Sequence, residues 1–106
     1  MVALSNETLQ DVTARIVKEL RPERVYLFGS RAYGTPRAES DLDIMLVFRE
    51  GGARRIDLAC AARRLLRDLP CGLDVLVRFR GEFESRAAWP TTIEAIVKEK
   101  GRLLYG

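Results

Sequence analysis

Apolar residues recur at a helical spacing near the start of the chain. Between residues 5 and 20 they return every third or fourth position, at Leu9, Val12, Ile16, Val17 and Leu20. This spacing predicts an amphipathic helix with one buried face. Ser5 or Asn6 can cap its first turn, and Pro22 ends it.

Three short apolar runs follow and predict β-strands, because they are rich in β-branched and aromatic residues. They span residues 24–28, 41–48 and 73–77. A glycine turn over 29–34 and an irregular loop over 35–40 separate the first two runs. A second helix is predicted over 53–69, ended by Pro70 and Gly72, with one apolar face made of Ile56, Ala59, Leu66 and Leu69.

The last quarter of the chain is less regular. A short helix is predicted from Phe83 to Trp89, and another after the proline that follows. The sequence Thr91-x-x-Glu94 has the form of a capping box at the start of that last helix. Residues 103–105 form an apolar tail that either packs into the core or joins Trp89 in a partner surface. Helices alternating with strands predict an α/β domain.

Composition limits the class of protein. A chain of 106 residues predicts a single domain over residues 1–106 with a modest core. No apolar run approaches the roughly 20 residues of a membrane span, and no secretory signal is evident, so we expect a cytoplasmic protein. The sequence contains no histidine, which excludes Ser-His-Asp and Cys-His catalysis and histidine-ligated zinc.

Charge and cysteines decide less. The net charge is +3, and the second helix carries an arginine-rich side, formed by Arg54, Arg55, Arg63, Arg64 and Arg67. We interpret this side as a solvated face partly paired with acids, and we expect no direct nucleic-acid binding. Cys60 and Cys71 are interpreted as thiols in a reducing cytoplasm, although a disulfide stays open.

Two aspartates open the second strand. Asp41 and Asp43 point to the same face, roughly 6.6 Å apart along the chain. If the first two strands are neighbours, both lie near Gly29 and Ser30, whose turn offers backbone N–H groups to an anion. Two carboxylates repel by about 1 kcal/mol at 4 Å in water and about 4 kcal/mol at an effective dielectric of 20. The pair therefore predicts a cation between them, and oxygen ligands suit Mg²⁺.

A third acid interrupts an apolar strand. Asp74 lies inside the third apolar run, and an acid in such a run needs a reason. If the third strand lies beside the second, Asp74 joins Asp41 and Asp43 around one or two metal ions. The alternative is an aspartate at a strand edge, exposed to water.

Together these residues resemble a family signature. Gly29-Ser30, then Gly34, then Ser40-Asp41-Leu42-Asp43 is similar to the motif of the polymerase-β-like nucleotidyltransferase superfamily, and within it to the minimal nucleotidyltransferase, or MNT, branch. The resemblance implies an α/β fold with a small mixed sheet in the order 1-2-3, backed by helices.

The resemblance also implies site roles. Asp41 and Asp43 would hold Mg²⁺ on the triphosphate of ATP, and Asp74 would help to bind a second Mg²⁺ and take the proton of the attacking hydroxyl. Gly29 and Ser30 would bind the β- and γ-phosphates. Gly34, Ser40 and Arg31 complete the expected nucleotide-binding set. For Arg31 and Arg37, which flank this site, solvated surface is the alternative interpretation.

MNT proteins resemble antitoxins that pair with helical HEPN ribonuclease toxins and add AMP from ATP to a toxin tyrosine. The resemblance therefore implies a protein adenylyltransferase that acts as an antitoxin. Two alternatives stay open. One is a catalytically silent module that neutralises a toxin by contact. The other is a nucleotidyltransferase for a small molecule such as an aminoglycoside, although we expect too little chain beyond the core for an acceptor domain.

Overall fold

The computed structural model describes residues 5–37 and 40–106. Positions 38 and 39 of the predicted loop lie outside the described residues. The elements are α1 (Asn6–Leu20), β1 (Arg24–Phe28), α2 (Ser30–Tyr33), β2 (Leu42–Phe48), α3 (Arg55–Leu65), β3 (Leu73–Phe79), α4 (Arg80–Ala87), α5 (Ile93–Lys100) and β4 (Arg102–Tyr105). The predicted α/β class is confirmed.

The strands form one mixed sheet in the order β3-β2-β1-β4. β1 runs antiparallel to β2 and to β4, whereas β2 and β3 are parallel and are joined through α3, as a parallel pair requires. The predicted order 1-2-3 is correct for its three strands but incomplete. The apolar tail at residues 103–105 is part of a fourth strand. This strand is defined by its hydrogen bonds to β1, and the apolar spacing of the tail does not predict it.

Helices cover both faces of the sheet. On one face α1 and α3 pack against alternate strand residues, with Val12, Ile16, Leu27, Leu46 and Ala62 among the buried residues. On the other face α4 and α5 pack against Tyr26, Phe28, Met45 and Val47 through Phe83 and Val97. β2 is apolar at successive positions because it is buried on both faces.

The ends of the first helix agree with the prediction. Ser5 caps α1 by accepting a hydrogen bond from the Thr8 amide at 3.1 Å. Arg21 ends the helix with φ of 54°, a left-handed residue that closes the last turn just before Pro22.

The second predicted helix is too long. The sequence predicts it over 53–69, but α3 spans only Arg55–Leu65, with a turn after it. The prediction that Ile56 lies on its apolar face is wrong, because the side chain is 61% exposed. Leu58 and Ala62 pack into the core, and Ile56 lies about 200° around the helix from Leu58.

The arginine-rich side of α3 is exposed. Arg54 pairs with Asp57 and Arg55 pairs with Glu82, which agrees with a solvated and partly paired face. Cys60 and Cys71 are both free thiols. Within residues 5–37 and 40–106, none of the helices has the length and apolar character needed to cross a lipid bilayer.

The two C-terminal helices begin at other residues than predicted. α4 starts at Arg80 and ends at Ala87, earlier than the predicted helix over 83–89. α5 is capped by Thr92 instead of Thr91, and the Thr92 hydroxyl accepts a hydrogen bond from the Ala95 amide at 3.1 Å.

The capping-box role of Glu94 is therefore wrong. With the cap one residue later, the Glu94 side chain turns into the protein, where it is fully buried. It accepts hydrogen bonds from Nε of Arg78 at 2.7 Å and Nε of Arg86 at 3.0 Å. Burial acts to raise the pKa of Glu94, but the hydrogen bonds from Arg78, its own backbone and Arg86 together outweigh burial and lower it. Through these two hydrogen bonds the Glu94 carboxylate links α5 to β3 and α4.

Candidate active site

The glycine turn and the second aspartate meet at one end of the sheet. Antiparallel pairing places Phe28, the last residue of β1, opposite Asp43 of β2. Gly29 comes next, and a Cβ there would overlap Oδ2 of Asp43. Gly29 has φ of 72° and ψ of −157°, a region open essentially to glycine alone. The residue must be glycine both for its backbone and for the carboxylate packed against it.

The third acid lies beside the second. β3 runs parallel to β2 with Asp74 in register with Asp43, so the two side chains share a face of the sheet. Asp41, two residues before Asp43, is directed to the same face. Its carboxylate packs against Gly72, where a Cβ would overlap Oδ1. The amide of Leu42 donates to the Gly72 carbonyl at 2.9 Å, which joins the entrance of β2 to that of β3.

The charges of Asp74 and Asp41 act electrostatically on the pKa of Asp43. The pKa of Asp43 is raised, first by burial and then by the negative charges of Asp74 and Asp41, while the positive charge of Arg31 acts to lower it. Asp43 is half-buried, and Asp41 and Asp74 are exposed. The ionised form of Asp43 is therefore disfavoured as the chain stands, and a nearby cation would stabilise it.

Carboxylate oxygens from these residues have the chemistry that Mg²⁺ requires. Among residues 5–37 and 40–106, no three acidic or cysteine side chains stand close enough to hold a metal ion as they are placed. This spacing is compatible with the raised pKa of Asp43, because the charges of neighbouring carboxylates act over several ångströms. A bound Mg²⁺, in contrast, needs oxygens at about 2.1 Å. Mg²⁺ is commonly bound by one or two carboxylates plus substrate phosphates instead of a complete protein cage. The acids fit that mode of binding.

The glycine turn continues as one turn of helix, α2. The amides of Ala32 and Tyr33 donate to the Gly29 carbonyl, at 3.0 and 3.1 Å, and the Gly34 amide donates to the Ser30 carbonyl at 3.0 Å. A Cβ at Gly34 would lie 2.8 Å from Cα of Ser30. Gly34, predicted to bind nucleotide, thus has a packing reason for being glycine.

Arg31 and Ser40, also predicted to bind nucleotide, contact each other. The Arg31 guanidinium donates to the Ser40 carbonyl from Nε at 3.2 Å and from Nη2 at 2.6 Å, and to the Arg37 carbonyl at 3.3 Å. The Ser40 hydroxyl accepts a hydrogen bond from the Arg37 amide at 2.8 Å. These contacts tie the end of the loop to α2.

One residue of this region had no predicted part in the site. The sequence predicts Gly72 only as a residue that ends a helix, yet it makes room for the Asp41 carboxylate. A glycine two positions before the third acid was the available signal. The role of this glycine depends on the pairing of β2 with β3, which cannot be derived from the sequence alone.

Comparison with known proteins gives one family and several similar structures. Residues 11–104 match the profile of a family described as nucleotidyltransferase domain. No curated protein sequence matches the chain.

Solved structures with this fold include a candidate nucleotidyltransferase from Sulfolobus solfataricus, with 23% identity over 89% of this chain and 73% of that one and a TM-score of 0.57. A toxin-antitoxin with AMP-PNP has 22% identity over 92% and 73%, with a TM-score of 0.57. The toxin-antitoxin MntA-HepT has 18% identity over 95% and 73%, with a TM-score of 0.55. At these identities the likeness concerns the fold.

Proposed function

The chain belongs to the nucleotidyltransferase domain family, which is a family of transferases, and on that basis we propose that it transfers AMP from ATP to a hydroxyl group of a partner protein, with Mg²⁺. One observation carries the proposal. Asp43 and Asp74 share a face of adjacent strands beside the Gly29 turn, Asp41 directly precedes β2, and the pKa of Asp43 is raised in part by the charges of the other two acids.

Each residue has a role in this proposal. Asp41 and Asp43 would hold Mg²⁺ together with the triphosphate, and Asp74 would contribute to a second Mg²⁺. Gly29 and Ser30 bind the β- and γ-phosphates through backbone N–H groups and the serine hydroxyl, as turns with unpaired amides do. When bound, Mg²⁺ neutralises charge that builds up on the transferring phosphate.

The transfer needs one bond made and one broken. The acceptor oxygen forms a bond to the α-phosphorus of ATP while the bond from that phosphorus to the bridging oxygen breaks, and pyrophosphate leaves. The hydroxyl proton passes to the carboxylate of Asp74, which is exposed and so accessible to an acceptor. No covalent enzyme intermediate is involved, which is consistent with a sequence without histidine.

The acceptor in this proposal is a tyrosine hydroxyl of a helical HEPN-type toxin, and the chain is its antitoxin. Similar folds occur in proteins described as toxin-antitoxin complexes, one of them with AMP-PNP, a nucleoside triphosphate analogue. These likenesses support a toxin as the partner and ATP as the nucleotide, and the HEPN class of the toxin is part of the proposal.

A labelling experiment tests the proposal. The chain is incubated with ATP labelled on the α-phosphate, Mg²⁺ and the protein encoded beside it, and label is expected on a tyrosine of that protein. Asp41→Asn and Asp43→Asn should abolish labelling. Asp68→Asn is the matched control, because Asp68 is an exposed acid paired with Arg15.

Two outcomes would contradict the proposal. A tight complex without label would indicate neutralisation by contact. Label on an aminoglycoside or another small hydroxylated molecule, with none on the protein, would indicate a small-molecule transferase.

A further inference from the structure

We propose that Arg31 is a positioning residue, which holds the backbone leading into Asp41 against α2 and so keeps the first metal-binding acid aligned with the glycine turn. The consequence for catalysis rests on the proposed function. The positioning itself concerns the chain without ligands and can be measured independently.

The Arg31 guanidinium is engaged with main-chain carbonyls. Its Nε and Nη2 both donate to the Ser40 carbonyl, at 3.2 and 2.6 Å, and Nη2 also reaches the Arg37 carbonyl at 3.3 Å. Hydrogen bonds from a charged donor are stronger than neutral ones, and a planar guanidinium can direct several donors at once. These contacts therefore restrain the end of the loop more than a single bond would.

The restrained carbonyl acts directly on Asp41. The Ser40 carbonyl and the Asp41 amide belong to one planar peptide group, so holding that carbonyl also sets the direction in which the Asp41 backbone leaves. On the other side of Asp41, the Leu42 amide donates to Gly72 at 2.9 Å. Asp41 is thus fixed between α2 and the entrance of β3.

The loop itself supports this contact. The Arg37 amide donates to the Ser40 hydroxyl at 2.8 Å and the Ser40 amide donates to the Arg37 carbonyl at 3.1 Å. The two carbonyls that Arg31 contacts are therefore held near each other by these two hydrogen bonds between Arg37 and Ser40. Arg31 also lies near the acids, since its charge acts on the pKa of Asp43.

A direct phosphate contact is the competing role for Arg31. The two roles respond differently to Arg31→Lys, because lysine keeps the charge but lacks the planar fork. A phosphate ligand needs chiefly the charge, whereas the positioning role needs the fork. Arg37→Gln is the matched control, since it removes an exposed arginine of the same loop but retains the carbonyl that Arg31 contacts.

The experiment measures amide hydrogen exchange of the chain without nucleotide or metal. In Arg31→Lys and Arg31→Gln, exchange at Ser40 and Leu42 should be faster by on the order of tenfold, with exchange in β1 unchanged as evidence of correct folding. Arg37→Gln should exchange like the wild type. In the labelling assay both Arg31 variants should be slower by on the order of 100-fold, as expected when a catalytic group is misplaced by about 1 Å.

Unchanged exchange at Ser40 and Leu42 in Arg31→Gln would overturn the inference. So would an Arg31→Lys variant that matches the wild type in both exchange and labelling, because charge alone would then be sufficient. If the wild type transfers no label at all, the proposed function fails, but the exchange measurements still decide whether Arg31 positions the loop.

Discussion

Replacing Asp43 by asparagine should make the protein more stable while it abolishes activity. The pKa of Asp43 is raised by burial and by the charges of Asp74 and Asp41, which means that the ionised form is unfavourable in the folded chain. Asparagine has nearly the same shape and no charge. The stability gained should therefore equal the repulsion and desolvation that the wild type carries without a bound cation.

The magnitude follows from the sheet. Asp43 and Asp74 are in register on neighbouring strands, which lie about 4.8 Å apart. Two unit charges at about 5 Å repel by about 0.8 kcal/mol in water and about 3 kcal/mol at an effective dielectric of 20. Because Asp74 is exposed, the lower value is closer. With Asp41 and burial added, we expect a gain of about 1–2 kcal/mol, and each kcal/mol raises Tm by about 4–8 °C in a domain of about this size.

The gain should depend on pH in a defined direction. An unfolded aspartate has a pKa near about 3.9, and the pKa of Asp43 in the folded chain is above its ordinary value. The stability associated with this carboxyl is fully present below the unfolded pKa and is lost as pH rises through the folded pKa. The advantage of Asp43→Asn should therefore be small near pH 4 and complete at neutral pH.

A control of opposite sign is available. The pKa of Asp68 is lowered, chiefly by its hydrogen bond from Arg15, so its contribution to stability is present above the unfolded pKa and lost as pH falls through the folded one. Asp68→Asn should lower stability at neutral pH. Thermal and urea unfolding of both variants between pH 4 and 8, with EDTA present, measures the difference. An Asp43→Asn variant no more stable than the wild type at pH 7, or equally more stable at pH 4, would refute the reasoning.

The effect of Mg²⁺ and ATP on stability tests the same reasoning. Mg²⁺ with ATP should raise the Tm of the wild type, because a ligand that binds only the folded state adds about 2.7 kcal/mol at 100 times its Kd. Asp43→Asn should gain much less. Stabilising substitutions at an active site commonly reduce its function.

Three further variants test separate parts of the fold. Glu94→Gln should destabilise the chain by about 3 kcal/mol in urea unfolding, because it breaks a buried ion pair and leaves Arg78 without its counter-charge; a loss below 1 kcal/mol would contradict that account. Gly29→Ala should cost about 1–3 kcal/mol from backbone strain alone, and an unchanged Tm would show that the turn tolerates a side chain. Thr92→Ala should cost about 1 kcal/mol through the lost cap of α5, whereas Thr91→Ala should stay within about 0.5 kcal/mol; equal losses would mean that the cap is misassigned.

The sequence alone determined the elements with strong local patterns. The helix over residues 5–20 and the strand over 24–28 agree with the structure within a residue, because apolar spacing reports which face is buried. The sequence also predicted that Asp41 and Asp43 point to the same face, since residues i and i+2 of an extended chain share a face. The Gly29-Ser30 turn was evident from residue type.

Only the tertiary structure decided which distant residues meet. The register that sets Asp74 beside Asp43, the room that Gly72 leaves for Asp41, the strand β4 and the burial of Glu94 between two arginines all depend on contacts across the chain. Their physical reason is the same in each case. Hydrogen bonds between strands and the packing of helices on the sheet select one register among several that the same local pattern would allow. The positions of the charged side chains relative to one another depend on that register.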